Sequence, residues 1–155
     1  ASLKQYNRTV TKSMVSNLLN HANHLGMNIC ADFILGLEHE DQSAVERTIE
    51  FALALPIDFA SFNIATPLPG SSIRERAIKN GELKVGEEDY DTLGNGRILG
   101  NQHLSMEALL KIRNSAVRRF YLRPSYIWRR LRRTISFEHF LVQFSQMRAL
   151  LVKTL

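Results

Sequence analysis

The chain has 155 residues, about the size of one ordinary domain and enough to bury a real core. Hydrophobic residues make up 45% and charged residues 23%, a balance that excludes a disordered tail. No apolar run approaches the roughly 20 residues needed to cross a bilayer, and Lys4, Asn7 and Arg8 break up any secretory leader. The single cysteine, Cys30, excludes an internal disulfide framework and fits a reducing, cytoplasmic setting. Residue 1 is Ala, which fits either an excised segment or loss of an initiator Met.

The periodicity from Thr11 to Leu25 predicts a helix, with Met14, Val15, Leu18, Leu19, Ala22 and Leu25 on one stripe. A short strand follows, about Asn28 to Leu35. Asp41 or Ser43 can cap the next helix, which carries Val45, Ile49, Ala52 and Leu53 and stops at Pro56. A second strand is expected at Phe59 to Thr66, closed by the breakers Pro67, Pro69 and Gly70. Ser71 or Ser72 then caps a helix ending at Asn80-Gly81. Strands alternating with helices predict right-handed crossovers and a parallel sheet.

Gly81 to Gln102 has no periodicity and is long for a connection in a compact domain, which marks it as functional or as a linker. Ser105 caps a helix to about Tyr121 with Leu109, Ile112, Ala116 and Phe120 inside; Pro124 opens another, and Ser136 a last one. The expected fold is α/β: residues 1–80 the C-terminal strands and helices of a partial (β/α) TIM-like barrel, 81–104 a connection, and 105–155 a helical tail. Two strands alone are too few to bury a parallel sheet, so further strands are expected to precede the first.

The net charge of +5 is concentrated. Between Glu107 and Glu138 lie Lys111, Arg113, Arg118, Arg119, Arg123, Arg129, Arg130, Arg132 and Arg133, with no acid among them. Three readings stand open: a solvated helical face, a polyanion platform with Phe120, Tyr121, Tyr126 and Trp128 interleaved, or peripheral contact with an anionic membrane.

In parallel α/β folds ligands gather at the C-terminal ends of strands. Alternation puts Asp32, Ile34 and Gly36 on one face of the first strand, and Ser61, Asn63 and Ala65 on one face of the second. A carboxylate able to accept from a diol, an apolar wall and room for a flat group suit a nucleoside. The acidic run Glu38-His39-Glu40-Asp41 has the composition of a hard-metal site, but neighbouring side chains rarely converge on one ion. Glu40 is expected to tie down its loop.

The run ADFILGLEHE resembles the fifth-strand motif D-x-I-x-G-x-P-G-E of radical S-adenosylmethionine enzymes, with Asp32, Ile34, Gly36 and Glu40 at its fixed positions. FNIATPLPGS resembles the sixth-strand exit Y-P-Y-P-G-T, and Asn7-Arg8 resembles the element after strand four. RRFYLRPSYIWRRL is similar to the C-terminal helices of the cobalamin-binding branch, as in the anaerobic magnesium-protoporphyrin ester cyclase group. The resemblance implies the C-terminal half of an enzyme that cleaves S-adenosylmethionine reductively at a [4Fe–4S] cluster to begin C–H functionalisation or methylation. It implies cofactor contacts at Arg8 (carboxylate), Asp32 (ribose), Ile34 (adenine), Gly36 and Ala65. It also implies an upstream half of the same enzyme and a small-molecule, lipid-like or pigment-like substrate, with nucleic acid not expected as a partner. The sequence departs from the pattern in two ways: Glu38 and His39 replace Pro-Gly, and the cluster-binding C-x-x-x-C-x-x-C loop is absent, so cluster and cobalamin would be held outside this chain. The rival is a non-catalytic basic module for RNA, another polyanion or a membrane surface.

Overall fold

Four of the described helices begin where a short polar side chain accepts from an orphan amide. In the computed structural model, which describes residues 9–84 and 99–133 (side chains through Arg129), Thr11 Oγ1 accepts from the Met14 amide at 3.2 Å and opens α1, Lys12–His24. Asp41 Oδ1 accepts from Ala44 at 2.7 Å and opens α2, Gln42–Ala54. Ser71 Oγ accepts from Arg74 at 3.3 Å before α3, Ser72–Lys79, and Ser105 Oγ from Ala108 at 3.2 Å before α4, Met106–Tyr121. Pro124 stands at the first position of α5, Pro124–Arg133, where its missing N–H costs nothing. Arg8 and the helix expected from Ser136 lie outside the described residues.

Two strands, β1 (Cys30–Leu35) and β2 (Phe59–Ile64), pair in parallel with Cys30 opposite Phe59 and Leu35 opposite Ile64. They are joined through α2, the helical crossover that a parallel pair requires. At their base the fully buried Asp58 accepts from the Ile29 amide through Oδ2 at 2.9 Å, fixing where the two strands start relative to each other. The described sheet has these two strands, and a closed or partial barrel is not seen among them.

One face of the sheet is covered and the other is open. Helices α2 and α4 lie on the covered face, where Leu35, Val45, Ile49, Ile64, Leu109 and Phe120 are buried. Phe33 stacks on Phe62 with ring centroids 5.4 Å apart, and Phe62 meets the edge of Phe120 at 6.3 Å. Tyr121 reaches past the core to β2: its hydroxyl donates to the Ala60 carbonyl at 2.9 Å and accepts from the Ala60 amide at 3.2 Å.

Helix α1 departs from the expected burial. Its stripe exists, but Val15, Leu19 and Ala22 are only partly buried, and Met14, Leu18 and Leu25 are 58%, 67% and 64% exposed. The reason is that no described element lies against that side.

Candidate functional site

The open sheet face carries the candidate site. Along β1 the exposed residues are Cys30, Asp32 and Ile34, and register places Asp32 beside Ser61 and Ile34 beside Asn63. Ile34 is 55% exposed and stands on this open face. Asp32 makes no hydrogen bond to a described residue, so both carboxylate oxygens face outward as acceptors. Ser61 donates its hydroxyl to Asn63 Oδ1 at 3.2 Å, and Asn63 is exposed with its amide nitrogen still able to donate. A carboxylate, an apolar plate and an amide donor therefore lie within two rungs of one another, on the face where an incoming planar group would meet them.

Gly36 departs from the alternation. Gly36 lies beyond the end of β1 with φ at +78°, and the side-chain direction turns toward the helix layer. A Cβ there would stand 2.8 Å from Leu109 Cδ2, so the positive φ and the close approach of α4, not space on the open face, favour glycine. Ala65 is buried, and its amide donates to the Leu35 carbonyl at 2.9 Å, extending the ladder by one step. Gly36 thus lies toward the helix layer, whereas Asp32 and Ile34 stand on the open face.

The turn that leaves β1 is held from several sides although Pro-Gly is missing from it. The Glu40 amide donates to the Leu37 carbonyl at 2.9 Å, closing a turn with Glu38 and His39 at its centre. The buried Glu40 carboxylate accepts from the Gly36 and Leu37 amides, both at 3.1 Å. Glu38 pairs with Arg76 of α3 at 3.0 Å, and Asn101, from the far end of the long connection, donates to the Leu37 and Glu40 carbonyls. The four ionisable residues of this run thus do separate work: Glu38 pairs with an arginine, His39 is exposed, Glu40 points inward and Asp41 caps α2. Among the described residues no group of three or more His, Cys, Asp or Glu side chains converges as for a metal ion.

Three arginines of the basic stretch reach distant partners within the molecule, while Lys111 and Arg118 are exposed. Arg119 pairs with Glu46, Arg123 donates to the Leu53 carbonyl, and Arg129 donates to the Ile57 carbonyl. Arg123 also lies 4.2 Å from the Phe120 ring centroid. Burial, followed by the neighbouring Arg129 charge, lowers the Arg123 pKa from its ordinary value. Sequence reasoning missed Asn101, Arg123 and Arg129 as contact makers, because their partners lie more than 60 residues away.

The fold and the site define a parallel α/β unit that presents a polar and an apolar side chain on the open face of its sheet. In sequence the chain is similar to an uncharacterised methyltransferase from Pyrococcus horikoshii, 34% identical over 119 residues, which is 76% of this chain and 26% of that protein. It is also similar to a biotin synthase from a Psychrobacter species, 27% identical over 70 residues, which is 44% of this chain and 19% of that protein. The chain thus spans only 26% and 19% of the lengths of these relatives, both of which bear the names of enzymes. No family model matches, and no solved structure matches. Among the described residues no helix is long and apolar enough to cross a membrane.

Proposed function

We propose that this chain is the C-terminal part of a radical S-adenosylmethionine enzyme of the cobalamin-binding branch, acting in the cytoplasm in methylation or another C–H functionalisation. The observation that carries the reading is the open face on which Asp32 and Ile34 stand side by side, opposite Ser61 and Asn63. A carboxylate without an internal donor suits the two hydroxyls of a ribose, and an exposed Ile beside an amide suits a purine ring with its nitrogen acceptors. Similarity to a methyltransferase supports the choice of reaction class.

The chain's own residues would bind and orient the nucleoside of S-adenosylmethionine: Asp32 at the ribose, Ile34 against the adenine, and Gly36 and Ala65 setting the wall behind them. Arg8 would pair with the carboxylate end. A [4Fe–4S] cluster, when bound, would supply the electron that starts the chemistry, but the single cysteine here does not fit it, so its ligands would lie elsewhere in the polypeptide. Cobalamin would likewise be held outside these residues. The partner that completes the site would be the upstream half of the same enzyme, laid against the outer edge of β1 and the exposed stripe of α1. The substrate would be a small, lipid-like or pigment-like molecule, and a peripheral membrane contact would fall to the arginine-rich tail.

The test is direct binding of S-adenosylhomocysteine by calorimetry to the full polypeptide that carries these residues. Asp32 is exposed, so Asp32→Ala should fold normally, yet affinity should fall about ten- to a hundredfold, the loss expected for hydrogen bonds to a charged acceptor. Ile34→Ala should weaken binding less. Unchanged affinity in both variants would sink the reading.

A further inference from the structure

Asn101 uses both ends of its carboxamide. Its Nδ2 donates to the Leu37 carbonyl at 2.8 Å and to the Glu40 carbonyl at 2.8 Å. Its Oδ1 accepts from the His103 amide at 2.9 Å and from the Leu104 amide at 2.8 Å. Two donors and two acceptors exhaust what a carboxamide can offer. No other side chain of this length supplies both: aspartate cannot donate, and serine has one hydrogen. The backbone around Asn101 is shaped for the same contact. Its own amide donates to the Leu104 carbonyl at 2.9 Å, and a Cβ on the preceding Gly100 would stand 2.7 Å from that oxygen, so only glycine fits there.

The far end of the contact is the turn leaving β1. The Leu37 carbonyl that receives Asn101 also receives the Glu40 amide, and the Glu40 carboxylate in turn receives the Gly36 and Leu37 amides. Gly36 follows Leu35 directly at the strand's end, two residues after Ile34. The turn sequence Glu38-His39 has neither the fixed φ of proline nor the freedom of glycine to hold this shape by itself. Its order comes from the Glu40 carboxylate within it and from Arg76 and Asn101 outside it.

We infer that Asn101 is a positioning residue: by holding the β1 exit turn from the opposite end of the long connection, it fixes the mouth of the open-face site and so sets its affinity for a nucleoside. This rests on the reading above for the ligand, but the mechanical claim stands on the hydrogen bonds alone. The connection that carries Asn101 would thereby be coupled to ligand binding although it supplies no contact to the ligand through this residue.

The experiment uses the full polypeptide and two readouts. Asn101→Asp is nearly isosteric, keeps the acceptor for His103 and Leu104, and loses both donations to the turn. Hydrogen exchange of the Gly36, Leu37 and Glu40 amides should speed up by about tenfold or more, as two lost hydrogen bonds favour local opening, while Phe33 and Leu35 exchange unchanged. S-adenosylhomocysteine affinity should fall severalfold, and Glu40→Gln combined with Asn101→Asp should lose less than the two separate losses added, because both act through one turn. A purely structural role would instead speed exchange in β1 as a whole. Unchanged exchange at Gly36, Leu37 and Glu40, or exchange that rises equally along β1, overturns the inference. If the parent protein binds no S-adenosyl nucleoside, the functional reading falls and the exchange arm alone decides the role of Asn101.

Discussion

Gly36 shows how much one residue can depend on two constraints at once. Its φ of +78° is a conformation that side chains other than glycine adopt rarely, and the space a Cβ would need is filled by Leu109, which is fully buried. Gly36→Ala should therefore destabilise the protein by about 1–3 kcal/mol from the backbone alone, with packing against Leu109 adding to it. Urea melts of the variant should show the loss; a midpoint equal to the parent's would mean that the turn relaxes freely. The alternation of a strand implies a different reason for this glycine, room on the open face. Period-two patterning ends where the strand ends, and the turn that follows rotates the next residue toward the helix layer. Asp32 and Ile34, which lie inside β1, are placed by that alternation as expected.

Helix α2 is secured at its two ends by different means. At the start, the hydrogen bond from the Ala44 amide, then that from the Ser43 hydroxyl, hold the Asp41 pKa below its ordinary value. A carboxyl whose folded pKa is depressed contributes stability that is complete above its unfolded value and is lost as pH falls through the folded one. Asp41→Ala should thus be less stable than the parent at neutral pH, and the gap should narrow in strong acid as the parent's carboxylate gains its proton. Denaturant melts at both pH values check this; a constant gap would show that ionisation of Asp41 plays no part. At the far end, the last turn of α2 has no basic residue of its own, and Arg123 supplies the cation from the junction of α4 and α5. The caps at Thr11, Asp41, Ser71 and Ser105 are local signals, three residues from their partners, and are legible in the sequence. Arg123, Arg129 and Asn101 are not, because only the folded geometry decides which distant carbonyl a donor meets.

Across the whole molecule, helix order, strand direction and the covered face follow from apolar periodicity, whereas the exposure of the α1 stripe does not. Periodicity records that a face is apolar; burial depends on what is laid against it. In the parallel pair the β1 residues Ala31, Phe33 and Leu35 direct their backbone groups to β2, so those of Cys30, Asp32 and Ile34 point to the other edge. If a neighbouring strand of the same enzyme lies there, the Asp32 and Ile34 amides in the full polypeptide should exchange as slowly as those of Phe33 and Leu35. Fast exchange at the former pair alone would leave the edge bare and remove the proposed upstream neighbour.

The phenol of Tyr121 has a consequence for how such an assembly can be built. By occupying both the amide and the carbonyl of Ala60, it seals the foot of β2 on the side away from β1. Any newcomer pairing at Ala60 would have to displace a buried aromatic ring. The ribbon is therefore stoppered at the foot of one margin by a side chain from its own helix layer.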